Sequence, residues 1–186
     1  MTATKRFFNR QNCIFTGIIL LLSLVAFWIR WQGIEHITAD IDTCLIPWSA
    51  SMKTGYGPSI LSTFDGDYNM PYVTVLWLLN YLPGRTIIKV KLFSIIFDYL
   101  GAVAGGLIVA RVYEMQKDLN GRLFKCRKYA KEILFVAAYA AVLFYPSAVL
   151  NGAYWGQCDM IYVTCRLYMI YALLRDNPSV AMIWIG

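Results

Sequence analysis

Charge is scarce in this chain. Lys, Arg, Asp and Glu make up 15% of its 186 residues, against about a quarter in an average soluble domain, while hydrophobic residues reach 59%. That imbalance argues against one water-soluble globule and makes lipid the expected solvent. Histidine is nearly absent: His36 is the only one, and Cys13, Cys44, Cys126, Cys158 and Cys165 form no C-x-x-C pair. Metal-ligand spacing is therefore missing, which argues against a zinc site. No Ser/His/Asp arrangement, phosphate loop or redox motif is visible, and His36 reads as an interfacial residue. The net charge of +6 comes without a nucleic-acid-binding motif. Its Lys and Arg residues flank apolar blocks, where they act as topology signals.

The apolar blocks predict an all-α polytopic membrane protein with about four transmembrane helices and the start of a fifth. A hydrocarbon core of about 30 Å needs roughly 20 helical residues. Lys5, Arg6 and Arg10 precede the first block, 13–29, and predict a cytoplasmic N-terminus. Bulky Phe27, Trp28, Ile29 and Trp31 stand where a signal-peptide cleavage site would need small residues, so the helix is expected to be retained. Residues 30–86 form the first outer loop, with Asp40, Asp42, Asp65 and Asp67 among the breakers Gly55, Gly57, Pro58 and Gly66. Within it, 44–53 suits an interfacial helix, and 71–82 is apolar but too short to span. The second helix covers 87–110 and leads into the basic segment 111–132, cytoplasmic by charge bias. The third and fourth cover 133–150 and 160–174. This topology puts Cys44 and Cys158 on one side, as the only candidate disulfide; the other cysteines read as small apolar filler.

Four groups of residues invite a chemical reading. Asp40 and Asp42 lie two apart; in an extended segment both would face the same way, toward one phosphate-bound metal or one acceptor hydroxyl. The plainer reading is solvated loop charge. Asp67 and Tyr68 sit in FDGDYNMPY, which also reads as a polar turn capping a helix. Arg85, Lys89 and Lys91 open the second spanning block, either snorkelling or cradling the phosphate of a lipid carrier. Asp98 follows near mid-helix, where an ionisable group faces a cavity or a partner. Trp155, Gln157 and Asp159 crown another helix in NGAYWGQCDMIY; the aromatics fit an interfacial belt, but anchoring does not explain Gln and Asp between them.

At ADIDTCLIPW, GDYNMPYV, IIKVKLFSIIFDYL and NGAYWGQCDMIY, in that order, the sequence resembles the GT-C class of membrane glycosyltransferases. The nearest likeness is to bacterial proteins related to the GPI-anchor mannosyltransferases, with a more distant one to the N-glycan glucosyltransferases. The resemblance implies inverting transfer of mannose or glucose from a polyprenyl-phosphate carrier to an acceptor outside the cytoplasm, in the bacterial plasma membrane. By its separation from Trp48, Asp40 matches the general base, with Asp42 the neighbouring candidate. Asp159, Gln157, Trp155, Asp67 and Tyr68 would bind sugar or acceptor. Charge and depth, rather than a family motif, give Arg85, Lys89 and Lys91 the leaving phosphate. No cofactor is called for; a divalent cation at the phosphate stays open. The expected partners are the lipid-linked donor and membrane lipid.

Two alternatives belong to other classes: a small transporter whose conduction path is lined by Asp98 and Asp159, and a non-catalytic membrane remnant. Members of such glycosyltransferase families run to about twice this length or more, and the apolar run SVAMIWIG stops after eight residues. The chain is therefore expected to be an N-terminal part, with a separately encoded C-terminal half as a further candidate partner.

Overall fold

A computed structural model describes residues 10–54, 59, 61–62, 64–120 and 128–185, with the side chains of 10–12, 54 and 118–120 set aside. Lys5 and Arg6, the loop residues Gly55, Gly57 and Pro58, and Arg122, Lys125, Cys126 and Arg127 of the basic segment lie outside the described residues. Among those described, regular structure is entirely helical. The order is α1 (Arg10–Gln32), a π-helical turn (Ile41–Leu45), α2 (Ile46–Thr54), α3 (Met70–Leu79), α4 (Thr86–Asn120), α5 (Ala130–Leu143), α6 (Pro146–Val149), a second π-helical turn (Leu150–Trp155), α7 (Asp159–Leu173) and α8 (Pro178–Ile185).

Two helices are long and apolar enough to cross a membrane, Cys13–Gln32 and Thr86–Lys117; a third span results if the pair Ala130–Leu143 and Pro146–Trp155 is one element bent by 50°. That is fewer than the four expected. The block 160–174 forms α7, whose 15 residues reach only about 22 Å, short of a hydrocarbon core. The bend in the third block falls where Pro146 has no N–H to continue the ladder. The α4 helix also outruns its expected end near residue 110. Arg111, Glu114 and Lys117 continue the helical spacing with good helix formers, and Arg111 pairs with Glu114 at i,i+3. Much of the expected basic loop is thus helix.

Packing is tightest around α4, which carries glycines where its neighbours arrive. A Cβ on Gly101 would lie 2.8 Å from Thr164 Oγ1, and one on Gly105 would lie 2.9 Å from Val142. This is the small-x-x-x-small device that lets helices approach without a hydrophobic driving force. On α1, by contrast, Leu20, Leu21 and Leu24 are mostly exposed. Such a stripe is out of place against water and suited to lipid.

A second layer caps one end of the bundle. Ile41, Leu45, Met52, Tyr72, Val73, Leu76, Ile87, Val90 and Cys158 form its buried core. The expected interfacial helix in 44–53 appears as α2, and the short apolar segment as α3, which is N-capped by Asn69 and opens with Pro71.

Candidate functional site

The four sequence stretches meet at one residue, Gln157. Its Nε2 donates to Asp40 Oδ2 at 3.1 Å, and its Oε1 accepts from the Tyr68 hydroxyl at 2.7 Å. Its backbone carbonyl accepts from Ser94 Oγ at 3.0 Å. The Asp40 contact orients the amide, because a carboxylate only accepts and so takes the NH2, leaving the carbonyl oxygen to accept from the Tyr68 hydroxyl. Tyr68 is in turn wedged edge-on against Trp48, with ring centroids 5.4 Å apart, and tilted onto Tyr72.

The backbone that carries these groups departs from α geometry twice. Asp40 immediately precedes one π-helical turn. The other ends at Trp155, where Gly156 takes φ +70°, a conformation that favours glycine, and turns the chain so that the Gln157 N–H reaches the Asn151 carbonyl at 2.9 Å. Such turns recur at functional sites.

This geometry corrects the acidic pair. The segment is helical rather than extended, so residues two apart point to roughly opposite sides of the axis. Asp40 reaches Gln157, while the Asp42 side chain is exposed and makes no hydrogen bond among the described residues. The pair does not form a two-carboxylate chelate. No group of three or more His, Cys, Asp or Glu among the described residues is placed to hold a metal ion.

The remaining acids divide. Asp159 stands at the start of α7 and accepts from Asn151 Nδ2 at 2.7 Å. It contributes to a mainly apolar cavity of about 510 Å³ between the bent α5–α6 pair and α7. Asp67 is exposed beside Tyr68, and Trp155 is about half exposed, without a stacking partner among the described residues. Tyr162 donates to Asn69 Oδ1 at 2.7 Å, tying α7 to the α3 cap.

The cations do not form one cradle. Lys91 is fully buried, and its ammonium donates to the carbonyls of Gly33 at 2.7 Å and His36 at 2.6 Å. It ties the turn that follows α1 to α4, satisfying carbonyls that lie outside any helical ladder. Lys89, two residues away, donates to the Leu82 carbonyl at 3.1 Å. Arg85 pairs with Glu35 at 2.9 Å on the surface. Of the three, Arg85 alone is exposed; Lys89 is buried beside the loop that carries Leu82, and Lys91 is committed to the fold.

Asp98 has a partner that the sequence reading missed. Arg30 Nε donates to Asp98 Oδ2 at 2.7 Å, with both side chains buried. Arg30 Nη2 donates to the Leu143 carbonyl at 2.8 Å, just before the bend. The available signal was an arginine at the end of one apolar block and a carboxylate inside another.

Cys44 and Cys158 are free thiols, so the candidate disulfide is not formed. Burial, with help from the Asp159 charge, pushes the Cys158 thiol up to about 11. Burial likewise raises the Tyr68 phenol from 10.0 to about 12, with Cys158, Asp159 and Asp40 adding to the shift. Tyr68 therefore remains a neutral donor to Gln157 through the physiological range. Because the folded value exceeds the unfolded one, its contribution to stability is complete below pH 10 and is lost as pH rises toward 12. An ultraviolet difference titration of Tyr68→Phe against the parent should lack one tyrosine titrating near pH 12; loss of one titrating near pH 10 would contradict this environment.

Comparison with protein-family models, with curated proteins and with solved structures gives no match to this chain.

Proposed function

We propose that this protein transfers a hexosyl unit, mannose or glucose, from a polyprenyl-phosphate carrier to a hydroxyl acceptor outside the cytoplasm. In this reading it sits in a bacterial plasma membrane with its N-terminus in the cytoplasm. The observation that carries the reading is the meeting at Gln157 of Asp40, Tyr68 and Ser94, separated from it by 117, 89 and 63 residues. The stretches that resemble the glycosyltransferases are the ones that converge.

The chemistry follows from the Asp40 carboxylate. Gln157 holds Oδ2, and the other oxygen is left to take the proton of the acceptor hydroxyl as that oxygen attacks the anomeric carbon. The bond from anomeric carbon to phosphate oxygen breaks, its electron pair leaves with the lipid phosphate, and Asp40 ends protonated. Tyr68 acts through Gln157 as a positioning residue. Asp159 and Asn151, joined at 2.7 Å, offer hydroxyl-binding groups to sugar or acceptor. Arg85 and Lys89 supply positive charge for the leaving phosphate. Lys91 drops out of that set, and no step is assigned to a metal. The conduction reading lacks comparable support, since Asp98 already has a buried partner in Arg30.

The test is transfer of labelled mannose or glucose from polyprenyl-phosphate donors in proteoliposomes to soluble glycoside acceptors. Transfer is expected from one donor, with Gln157→Leu reduced by roughly tenfold through loss of base positioning. Absence of transfer with either donor, in protein shown by circular dichroism to be folded, would refute the proposal.

A further inference from the structure

At the opposite end of the bundle three cations from three separate segments surround a cavity of about 280 Å³. They are Arg111 on α4, Lys131 on α5 and Arg175 just beyond α7. Glu114 is the only carboxylate in the lining. It is engaged by Lys131 and lies 3.8 Å from Arg111 Nη1, so the lining keeps two positive charges in excess. Arg111 is held in place by donating from Nε to the Leu174 carbonyl at 3.0 Å. Arg175 lies over the Tyr171 ring at 5.8 Å and forms no ion pair among the described residues. The inner wall is apolar, with Leu107 and Ala110.

We infer that this cavity binds an anionic phosphate ester, and that its source is the headgroup of an anionic phospholipid. Surface cations that merely snorkel diverge into water, whereas these converge from α4, α5 and the end of α7 on one space. A guanidinium suits phosphate oxygens because its donors are fixed in a fork. The location selects the lipid source: the cavity opens where the apolar part of α4 gives way to charged residues, and its Leu107 wall continues toward the hydrocarbon. Basic pockets between spanning helices on the positively flanked side are where such headgroups bind. The site is independent of Asp40 and of the transferase reading.

The test uses the full chain in nanodiscs of equal phosphatidylglycerol and phosphatidylcholine, with retained lipid counted by native mass spectrometry. Phosphatidylglycerol should be enriched on the wild-type chain. Arg175→Gln should reduce that enrichment roughly fivefold, and Arg175→Lys should keep most of it. Lys128→Gln, an exposed cation outside the lining, should leave it unchanged. Equal losses in Arg175→Gln and Lys128→Gln would mean general surface attraction and overturn the site, as would equal retention of both lipids. A second arm compares amine labelling of Lys131 in the phosphatidylglycerol-containing nanodiscs with that in pure phosphatidylcholine nanodiscs to which glycerol phosphate is added. Weak labelling only when phosphatidylglycerol is present supports the lipid source; full protection by glycerol phosphate alone would overturn it in favour of a soluble ester.

Discussion

Replacing Asp40 by Asn is expected to lower hexosyl transfer by about 10²- to 10⁴-fold, the range ordinarily supplied by a positioned general base. The substitution is nearly isosteric, and the Asn carbonyl can still accept from Gln157 Nε2, so the cluster around Gln157 should persist. Asp40 is exposed, and losing its charge should change stability little. The loss should therefore appear in turnover, with thermal unfolding unchanged. Asp42→Asn is the matched control, since Asp42 lies on the other side of its turn and should retain most activity. Turnover of Asp40→Asn close to wild type would remove Asp40 as the base, and a larger loss in Asp42→Asn would transfer that role.

The second large effect concerns stability. Arg30→Met should cost about 3 to 5 kcal/mol, because it leaves the Asp98 carboxylate buried without its cation. Asp98→Leu should cost a similar amount by stranding the guanidinium. The double substitution removes both charges and should recover much of the loss. Recovery should stop short of wild type, since the Leu143 carbonyl still loses its donor, worth about 1 kcal/mol. Denaturant titration in detergent micelles of the four proteins closes the double-mutant cycle. Single losses below about 1 kcal/mol, or strictly additive losses, would show that the pair is not coupled.

Local composition announced most of the architecture. Apolar blocks bounded by Pro, Gly and charge located α1, α3, α4 and the α5–α6 pair, and Asn69 with Pro71 marked the start of α3. Spanning was less legible than position: α7 lies within one residue of its expected bounds, but its 15 residues are too few to cross a hydrocarbon core, while α4 continues past its apolar part because Glu, Met, Gln and Lys favour helix there. The candidate site was legible in its parts and not in its arrangement. Asp40, Tyr68 and Gln157 stood out by type, but their mutual contacts span more than half the chain, and no local pattern specifies such pairings. The π-helical turn after Asp40 likewise has no sequence signature, which is why the acidic pair was expected to face one way. Lys91 and Arg30 show the same limit for charge. Each looks like a flanking cation in sequence, and only packing reveals the carbonyls and the carboxylate they serve.

The Arg30–Asp98 pair also bears on biogenesis. Its members are 68 residues apart, so α1 is made well before α4 is. An isolated α1 can let Arg30 reach toward the headgroups, but Asp98 lies about 18 Å into α4 and has no such escape. Partition of α4 into lipid is cheap only when α1 is still alongside to receive the carboxylate. The pair thus makes the settling of Asp98 depend on a segment synthesised earlier, an order of assembly written into one ion pair.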